Sequence, residues 1–364
     1  MSAARPLHGG NLAWAAAQAD CAMGEILDFS ASINPLGPPL SAIHSLQAAL
    51  HQIHAYPDPQ YQHLGHALAR FHGIDPEWVL PGNGAAELLT WAARDLAAQE
   101  TETGRPTWVL APGFRDYGRA LAAFGGTARS LPVTPGLSTG QPWSTPYQSL
   151  PLPPEPGAFL VNTPHNPTGL LFACDSLRSR LEQGGLVVVD EAFLDFLPEG
   201  DRHSCIPWLE QFPTLIVIRS LTKFYSVPGL RLGYAVAHPD RLRRWQQWRD
   251  PWSVNSLAAA AGVTLLQDRD FQTKTWAWLP PCRDRLYRAL DQIPGLTPYP
   301  SAANFLLVRC DRPVPELQAQ LLQQHRILIR DCLSFPELGD RFFRVAVRTD
   351  ADNRRLTLAL AAQL

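Results

Sequence analysis

Ser220-Leu221-Thr222-Lys223-Phe224-Tyr225-Ser226-Val227-Pro228-Gly229-Leu230-Arg231-Leu232-Gly233-Tyr234 is the stretch on which the reading of this chain turns. It follows Leu215-Ile216-Val217-Ile218, a short apolar run of the kind that forms a buried strand. A lysine just past such a strand, with hydroxyls three and one residues before it and an arginine eight after, brings an amine and an anion clamp to one crevice. Taken alone, a strand-end lysine is a solvated surface residue in most proteins, so the neighbouring strand ends decide.

Working outward, Trp108 to Ala111, Ala158 to Asn162 and Leu186 to Val189 are similar apolar runs bounded by Pro, Gly or Asp, while 41–52 and 84–99 carry helical spacing. Alternating helices and buried strands from about 80 to 240 predict an α/β fold: a mostly parallel sheet covered by helices, with loops at the strands' carboxyl ends lining a crevice. After Asn255 the pattern changes to a long helical stretch reaching about Ile293, a strand (Asn304 to Arg309), a helix (Val314 to His325), two short strands (Ile327 to Arg330 and Phe343 to Val347) and a closing helix from Ala351. This predicts a smaller α+β domain at 256–364, a large domain at 46–255, and an N-terminal segment, 1–45, that packs on the cleft and the small domain.

Composition narrows the function classes. The chain has 364 residues, 31 Lys+Arg against 33 Asp+Glu, 46% apolar and 18% charged, which suits a soluble globular protein with more than one core and excludes a disordered one. Near-balanced charge with no Lys/Arg block argues against a nucleic-acid partner, and no apolar run approaches the roughly 18 residues of a membrane span. Six cysteines, far apart and without a CxxC pair, show neither a zinc-ribbon pattern nor a secreted disulfide scaffold. A reducing cytoplasm is the expected compartment, and the first ten residues, lacking an apolar core, read as mature protein and not as a signal. The 34 prolines are spread among turns, and there is no internal repeat.

Three further segments converge on the crevice. Asp190 ends the run Leu186 to Val189 as a carboxylate at the sheet's mouth; by itself it is as well explained as a helix N-cap. Asn162-Thr163-Pro164-His165-Asn166-Pro167-Thr168-Gly169 ends another strand, and Gly82-Asn83-Gly84-Ala85-Ala86-Glu87 opens a helix whose N–H groups suit a phosphate. The order and spacing of these four elements resemble the fold-type I pyridoxal-phosphate enzymes, in the branch with histidinol-phosphate aminotransferase, over essentially the whole length. The resemblance implies a seven-stranded sheet and pyridoxal 5'-phosphate as cofactor. Lys223 is then the residue bonded to the cofactor aldehyde, Asp190 the partner of its ring nitrogen, Asn166 a donor to its 3-hydroxyl and Phe114 the ring stacked on it. Gly84, Ala85, Ser220, Thr222 and Arg231 hold its phosphate, and Tyr56 reaches in from a partner subunit, which implies a homodimer.

Two departures from the aminotransferase pattern stand out. Phe193 occupies the place, three residues after the aspartate, where those enzymes usually carry a tyrosine. Secondly, His8-Gly9-Gly10-Asn11, Asp28 to Gly37, Arg219 to Tyr225 and Pro251-Trp252-Ser253-Val254-Asn255 resemble the family of threonine-phosphate decarboxylases of cobalamin synthesis. That resemblance implies loss of carbon dioxide from a phosphorylated amino acid to give (R)-1-amino-2-propanol O-phosphate. Arg330 is then the phosphate ligand and Arg344 the carboxylate ligand, with His8 adding a phosphate donor, Asn34 positioning the carboxylate and Arg348 ranking lower. The alternative activity is a histidinol-phosphate-type aminotransferase on a phosphorylated amine. A metal site built from His51, His54, His63, His66 and His72 is disfavoured against a solvated polar face, so no metal is expected.

Overall fold

A computed structural model describes residues 5–133, 137, 141–198 and 200–364. Seven strands form the central sheet: β1 Val79–Asn83, β2 Thr107–Ala111, β3 Ala128–Pro132, β4 Ala158–Asn162, β5 Val187–Asp190, β6 Leu215–Ser220 and β7 Leu232–Ala237. Their order is β1-β7-β6-β5-β4-β2-β3, with β7 antiparallel to both neighbours and the other pairings parallel. The β-branched runs suit strands covered on both faces. Val187 and Val189 pack into one apolar cluster and Val188 into another across the sheet, as Leu215 and Val217 do against Ile216 and Ile218. The period of two thus feeds two cores at once.

The expected smaller α+β portion is a four-stranded antiparallel sheet, β8 Leu296–Pro298, β9 Phe305–Cys310, β10 Arg330–Asp331 and β11 Phe342–Ala346, in the order β8-β9-β11-β10. The N-terminal segment is tied to it: Leu27–Asp28 pairs in parallel with Ile327–Leu328, and helix Leu12–Ala19 buries Ala15 and Ala16 against Leu322 and Leu328. The long helical stretch from Asn255 is in fact two helices, Ser256–Gln267 and Arg269–Asp291. They divide at Asp268, which leaves the helical region (ψ 77°) and caps the second helix by accepting from the Phe271 N–H. The first of the two packs on Leu40–Ala49 and Gln62–His72, on the large sheet's side.

Although the cysteine spacing shows no disulfide scaffold, one pair is joined: Cys174 and Cys205 form a disulfide with Cα atoms 5.7 Å apart. They lie 31 residues apart in sequence, and only the tertiary path around β5 brings them together. Of the five histidines weighed as a metal site, His51, His54 and His63 line one hollow, but among the described residues none of the five belongs to a group of three metal-ligating atoms within 4.8 Å of one another. His51 and His54 bond turn carbonyls, and His72 contacts the Tyr234 hydroxyl at 2.7 Å. Among the described residues no helix is long and apolar enough to cross a membrane.

His165 is fully buried, with Nδ1 2.7 Å from the Thr168 hydroxyl, and burial pushes its pKa from 6.5 to about 3. It stays neutral in the folded chain and takes a proton when the chain unfolds. Its contribution to stability is therefore complete above pH 6.5 and is lost as pH falls toward 3, at up to about 1.4 kcal/mol per pH unit. Denaturant unfolding at stepped pH should show this slope, and His165→Gln should remove it; an unchanged slope in the variant contradicts the assignment.

Candidate active site

The carboxyl ends of β4, β5 and β6 meet at one cavity of about 360 Å³, lined among others by Asn162, Asn166, Asp190, Ser220, Thr222 and Lys223. Sheet register sets this up: Asn162 on β4 stands beside Asp190 on β5, and Asp190 beside Ile218, two residues before Ser220. Lys223 follows at once because the chain turns from β6 into the short helix Leu221–Phe224. Its Nζ lies 3.5 Å from the Ser220 Oγ and 5.0 Å from the centre of the Phe193 ring. Burial lowers the Lys223 pKa, with Asp190 opposing the shift, so the amine is eased toward the neutral form a nucleophile needs.

Asp190 is the counterpart. Burial raises its carboxyl pKa, while Lys223, the Tyr117 hydroxyl and the Ala192 N–H favour the ionised form. The Tyr117 hydroxyl donates to Oδ2 at 2.7 Å and the Ala192 N–H to Oδ1 at 3.0 Å. Tyr117 was missed in the sequence; it stands one turn after Phe114, at the head of helix Asp116–Ala122, where an aromatic reads as core. The two rings meet edge-on at 5.4 Å, and Phe114 also approaches the His8 ring at 5.8 Å.

A cradle for an anion forms at the head of helix Ala85–Thr103. Gly84 has φ +76°, and a Cβ there would sit 2.4 Å from an Arg231 guanidinium nitrogen, so only glycine lets the cation lie over the helix N-terminus. Ser220 and Thr222 hydroxyls are 2.8 Å apart beside it, and Arg231 also bonds the Pro228 carbonyl at 3.0 Å. These groups, with a buried amine facing a buried carboxylate, fit pyridoxal phosphate. Two buried polar atoms on the cavity lining, Asn162 Oδ1 and Arg344 Nε, lack a hydrogen-bond partner among the described residues and await a ligand.

Arg330 and Arg344 are register partners on adjacent antiparallel strands, so both guanidinium groups enter the same cavity, each about nine-tenths buried. Arg344 donates to Asn166 Oδ1 and, at 3.3 Å, to the Ser30 carbonyl. Arg330 donates to Ser334 Oγ and the Leu7 carbonyl, which places His8 at the same rim. Burial and the neighbouring Arg330 charge push the Arg344 pKa down to about 10. Arg115 and Ser334 line the cavity as well and were not picked out from sequence, since nothing in their local pattern marks them.

Three expected residues lie elsewhere. Asn34 does not line the cavity: its Nδ2 donates to the Phe224 carbonyl and to Thr275 Oγ1, both at 2.8 Å, and its Oδ1 accepts from the Leu36 N–H. Its amide is used up in holding the N-terminal segment to the lysine loop, so the expected contact with a substrate carboxylate is corrected. Tyr56 is 79% exposed and stacked on Trp252 at 4.6 Å, outside the cleft of its own chain. Arg348 turns to Asp352 and the Asp28 carbonyl, because β11 and its alternation end at Ala346.

A fold of this topology, with a lysine, an aspartate and an anion cradle at one sheet edge, defines a class. Residues 24–360 match the model for aminotransferase class I and II, and the chain belongs to that family, whose members use pyridoxal phosphate. Within it, the chain is 44% identical over 97% of its length to threonine-phosphate decarboxylase of Salmonella typhimurium, covering 95% of that protein. Its fold is shared by L-threonine-O-3-phosphate decarboxylase of Porphyromonas gingivalis (TM-score 0.78, 23% identity, 92% and 98% coverage). Histidinol-phosphate aminotransferase of Sinorhizobium meliloti, solved with pyridoxal-5'-phosphate, is similar too (TM-score 0.80, 23% identity, 100% and 97% coverage).

Tyr117→Phe removes a hydrogen bond to a charged group, of a kind that contributes about 1.5 to 3 kcal/mol. The Asp190 carboxyl should then rise further in pKa, the cofactor should bind more weakly, and the pH titration of its absorbance should shift; an unaltered titration contradicts the link. Gly84→Ala should weaken cofactor phosphate binding by driving Arg231 off the helix end, measured as a higher dissociation constant for pyridoxal phosphate.

Proposed function

We propose that this chain is a pyridoxal-phosphate-dependent decarboxylase acting on L-threonine O-3-phosphate, yielding (R)-1-amino-2-propanol O-phosphate and carbon dioxide for cobalamin synthesis. The observation that carries the substrate class is the Arg330–Arg344 pair. Like charges directly opposite on neighbouring strands repel, and burial adds to the cost, so the arrangement calls for anionic partners. A substrate bearing a carboxylate at one end and a phosphate at the other supplies them.

When bound, pyridoxal phosphate supplies the electron sink that takes the pair left by the breaking bond at the substrate's α-carbon. The rest of the task falls to the protein. Asp190, whose ionised form the Tyr117 hydroxyl and the Ala192 N–H favour against burial, would be the partner of the ring nitrogen and would favour its protonated form. Ser220, Thr222, Arg231 and the Ala85 N–H would anchor the phosphate, whereas the Gly84 N–H, expected to join them, is donated to the Gly82 carbonyl at 2.8 Å. Lys223 would be the residue joined to the cofactor aldehyde; eased toward the neutral amine, it would take up the proton of the incoming substrate ammonium and later return it to the α-carbon.

Arg344, positioned by its hydrogen bond to Asn166 Oδ1, would grip the carboxylate in a charge-assisted fork, and Asn166 would be the donor to the cofactor's 3-hydroxyl. Arg330, Ser334 and His8 take the substrate phosphate at the cavity rim. Burial lowers the pKa of His8, so it serves at neutral pH as a neutral hydrogen-bonding group. The two grips fix which bond to the α-carbon stands over the electron sink, and this choice separates decarboxylation from amino transfer.

We propose further that the chain works as a homodimer in which Tyr56 enters the partner's cleft. The exposed Tyr56–Trp252 stack, beside an apolar hollow floored by Ala259 and Val263, supports this. Sedimentation should give a dimer, and Tyr56→Phe should weaken cofactor binding.

Incubation with O-phosphothreonine should release carbon dioxide and the aminopropanol phosphate without any 2-oxo acid. Amine exchange with a 2-oxo acid in place of carbon dioxide would assign the histidinol-phosphate-type aminotransferase. Lys223→Ala should abolish turnover and the absorption of the lysine-bound cofactor; a retained band refutes the site. Arg344→Ala should cost roughly 3 kcal/mol or more in kcat/KM, and unchanged kinetics would show that the carboxylate binds elsewhere.

A further inference from the structure

We propose that Cys174 and Cys205 form a reversible thiol–disulfide couple whose state sets how tightly the active site holds its cofactor. The functional half of this proposal rests on the pyridoxal phosphate reading of the cleft; the redox half does not. Neither cysteine lines the catalytic cavity. Cys174 is partly exposed and opens the turn Cys174–Leu177, while Cys205 is buried. The bond between them closes a loop of the chain that contains β5, Asp190 and Phe193.

A chain of buried polar contacts leads from the disulfide to the catalytic strand ends. The Cys205 N–H donates to Glu191 Oε1 at 2.7 Å and the neighbouring Ser204 hydroxyl to Oε2 at 2.8 Å. Glu191 forms an ion pair with Arg219 at 2.8 Å, and Arg219 reaches Asp195 at 2.6 Å. Glu191 and Arg219 are both essentially inaccessible to water. Glu191 directly follows Asp190, and Arg219 directly precedes Ser220, so this one ion pair sits behind the groups proposed for the cofactor's ring nitrogen and phosphate.

A buried ion pair is worth having only while its remaining lone pairs are satisfied, because the desolvation cost is otherwise uncompensated. The donors from 204 and 205 provide that satisfaction, and the disulfide pins them in place. Both sulfurs and the Glu191 carboxylate lie within 4.8 Å of one another. Reduction therefore unpins the donors and sets two S–H groups beside the same carboxylate, where they compete with Arg219. The predicted consequence is displacement of residues 190 and 220 together.

The chemistry balances with a dithiol reductant. One of its thiolates attacks the partly exposed Cys174 sulfur, the S–S bond breaks, and its electron pair leaves on Cys205, which takes up a proton. The reductant's second thiolate then attacks the mixed disulfide, releasing Cys174 as a thiol and leaving the reductant as its own disulfide. Two electrons pass to the protein, and oxidation by a small-molecule disulfide is the reverse.

The test uses the full chain, equilibrated in buffers of reduced and oxidised dithiothreitol, with thiols counted by alkylation and mass and pyridoxal phosphate affinity read from its absorbance. We expect two thiols to appear together on reduction, and the cofactor dissociation constant to rise about tenfold. Cys174→Ser and Cys205→Ser should behave like the reduced wild-type chain in any buffer. Equal affinity in both redox states overturns the switch and leaves the reading of the cleft intact. Failure of both states to bind pyridoxal phosphate overturns that reading, even if the two thiols still titrate. A full complement of thiols in every buffer, or zinc found on the reduced chain, overturns the redox couple itself.

Discussion

The burial of the Lys223 amine opposite the Asp190 carboxylate is the constraint around which the rest of the molecule is arranged. Removing either charge from water is costly, and each is tolerable only because the other lies close by and because fixed donors meet the carboxylate. Those donors come from separate elements: Tyr117 from a helix, the Ala192 N–H from the turn after β5. Burial pushes both groups toward their neutral forms, and their mutual attraction pulls them back. A pair poised in this way changes protonation at small cost, as a site that must bond and release a carbonyl carbon requires.

The sheet makes that poise possible. Adjacent parallel strands end in register, so Asn162, Asp190 and the loop after Ile218 are brought side by side without long-range loop ordering. The small sheet then supplies a different chemistry. Its antiparallel pairing sets Arg330 opposite Arg344, two like charges of which Arg330 has the Asp331 carboxylate 3.8 Å away. Leu7, Ser30 and Ser334 blunt the repulsion by accepting from the two guanidiniums, which ties the N-terminal segment to the substrate grip.

Much of this was legible in the residues. The strands were readable because β-branched runs ended in Asn, Asp or Ser at the points where chemistry begins, and Lys223 and Asp190 were readable because they broke such runs. What could not be read depended on side-chain direction in three dimensions. Asn34 offers the right functional group, but its amide points toward Phe224 and Thr275. Tyr117 carries no sequence signal separate from core packing, because an aromatic on a buried helix face looks the same with or without a carboxylate at its tip. The single predicted helix beyond Asn255 failed at Asp268, where an aspartate cap interrupts an otherwise continuous apolar period. The Cys174–Cys205 pairing depends on the chain's path around β5, which spacing alone does not encode.

The same cofactor-binding groups serve both amino transfer and decarboxylation, so the choice between the two reactions must lie in the outer grip. Arg344 reaches the cavity from the small sheet and bonds Asn166, a residue of the large sheet's loops, so it is fixed relative to the carboxyl ends of the large sheet's strands. A carboxylate clamped there has its bond to the α-carbon directed by two rigid elements. Arg330 stands in register one strand away, and on the proposed function it would hold the other end of the substrate and so restrict rotation about that bond. With both ends held in that way, orientation would lower the barrier for one bond and would leave the hydrogen on the same carbon out of alignment. Absence of a hydroxyl at Phe193 fits this division: the ring contributes an apolar wall beside Lys223 and offers the amine no hydrogen-bond partner.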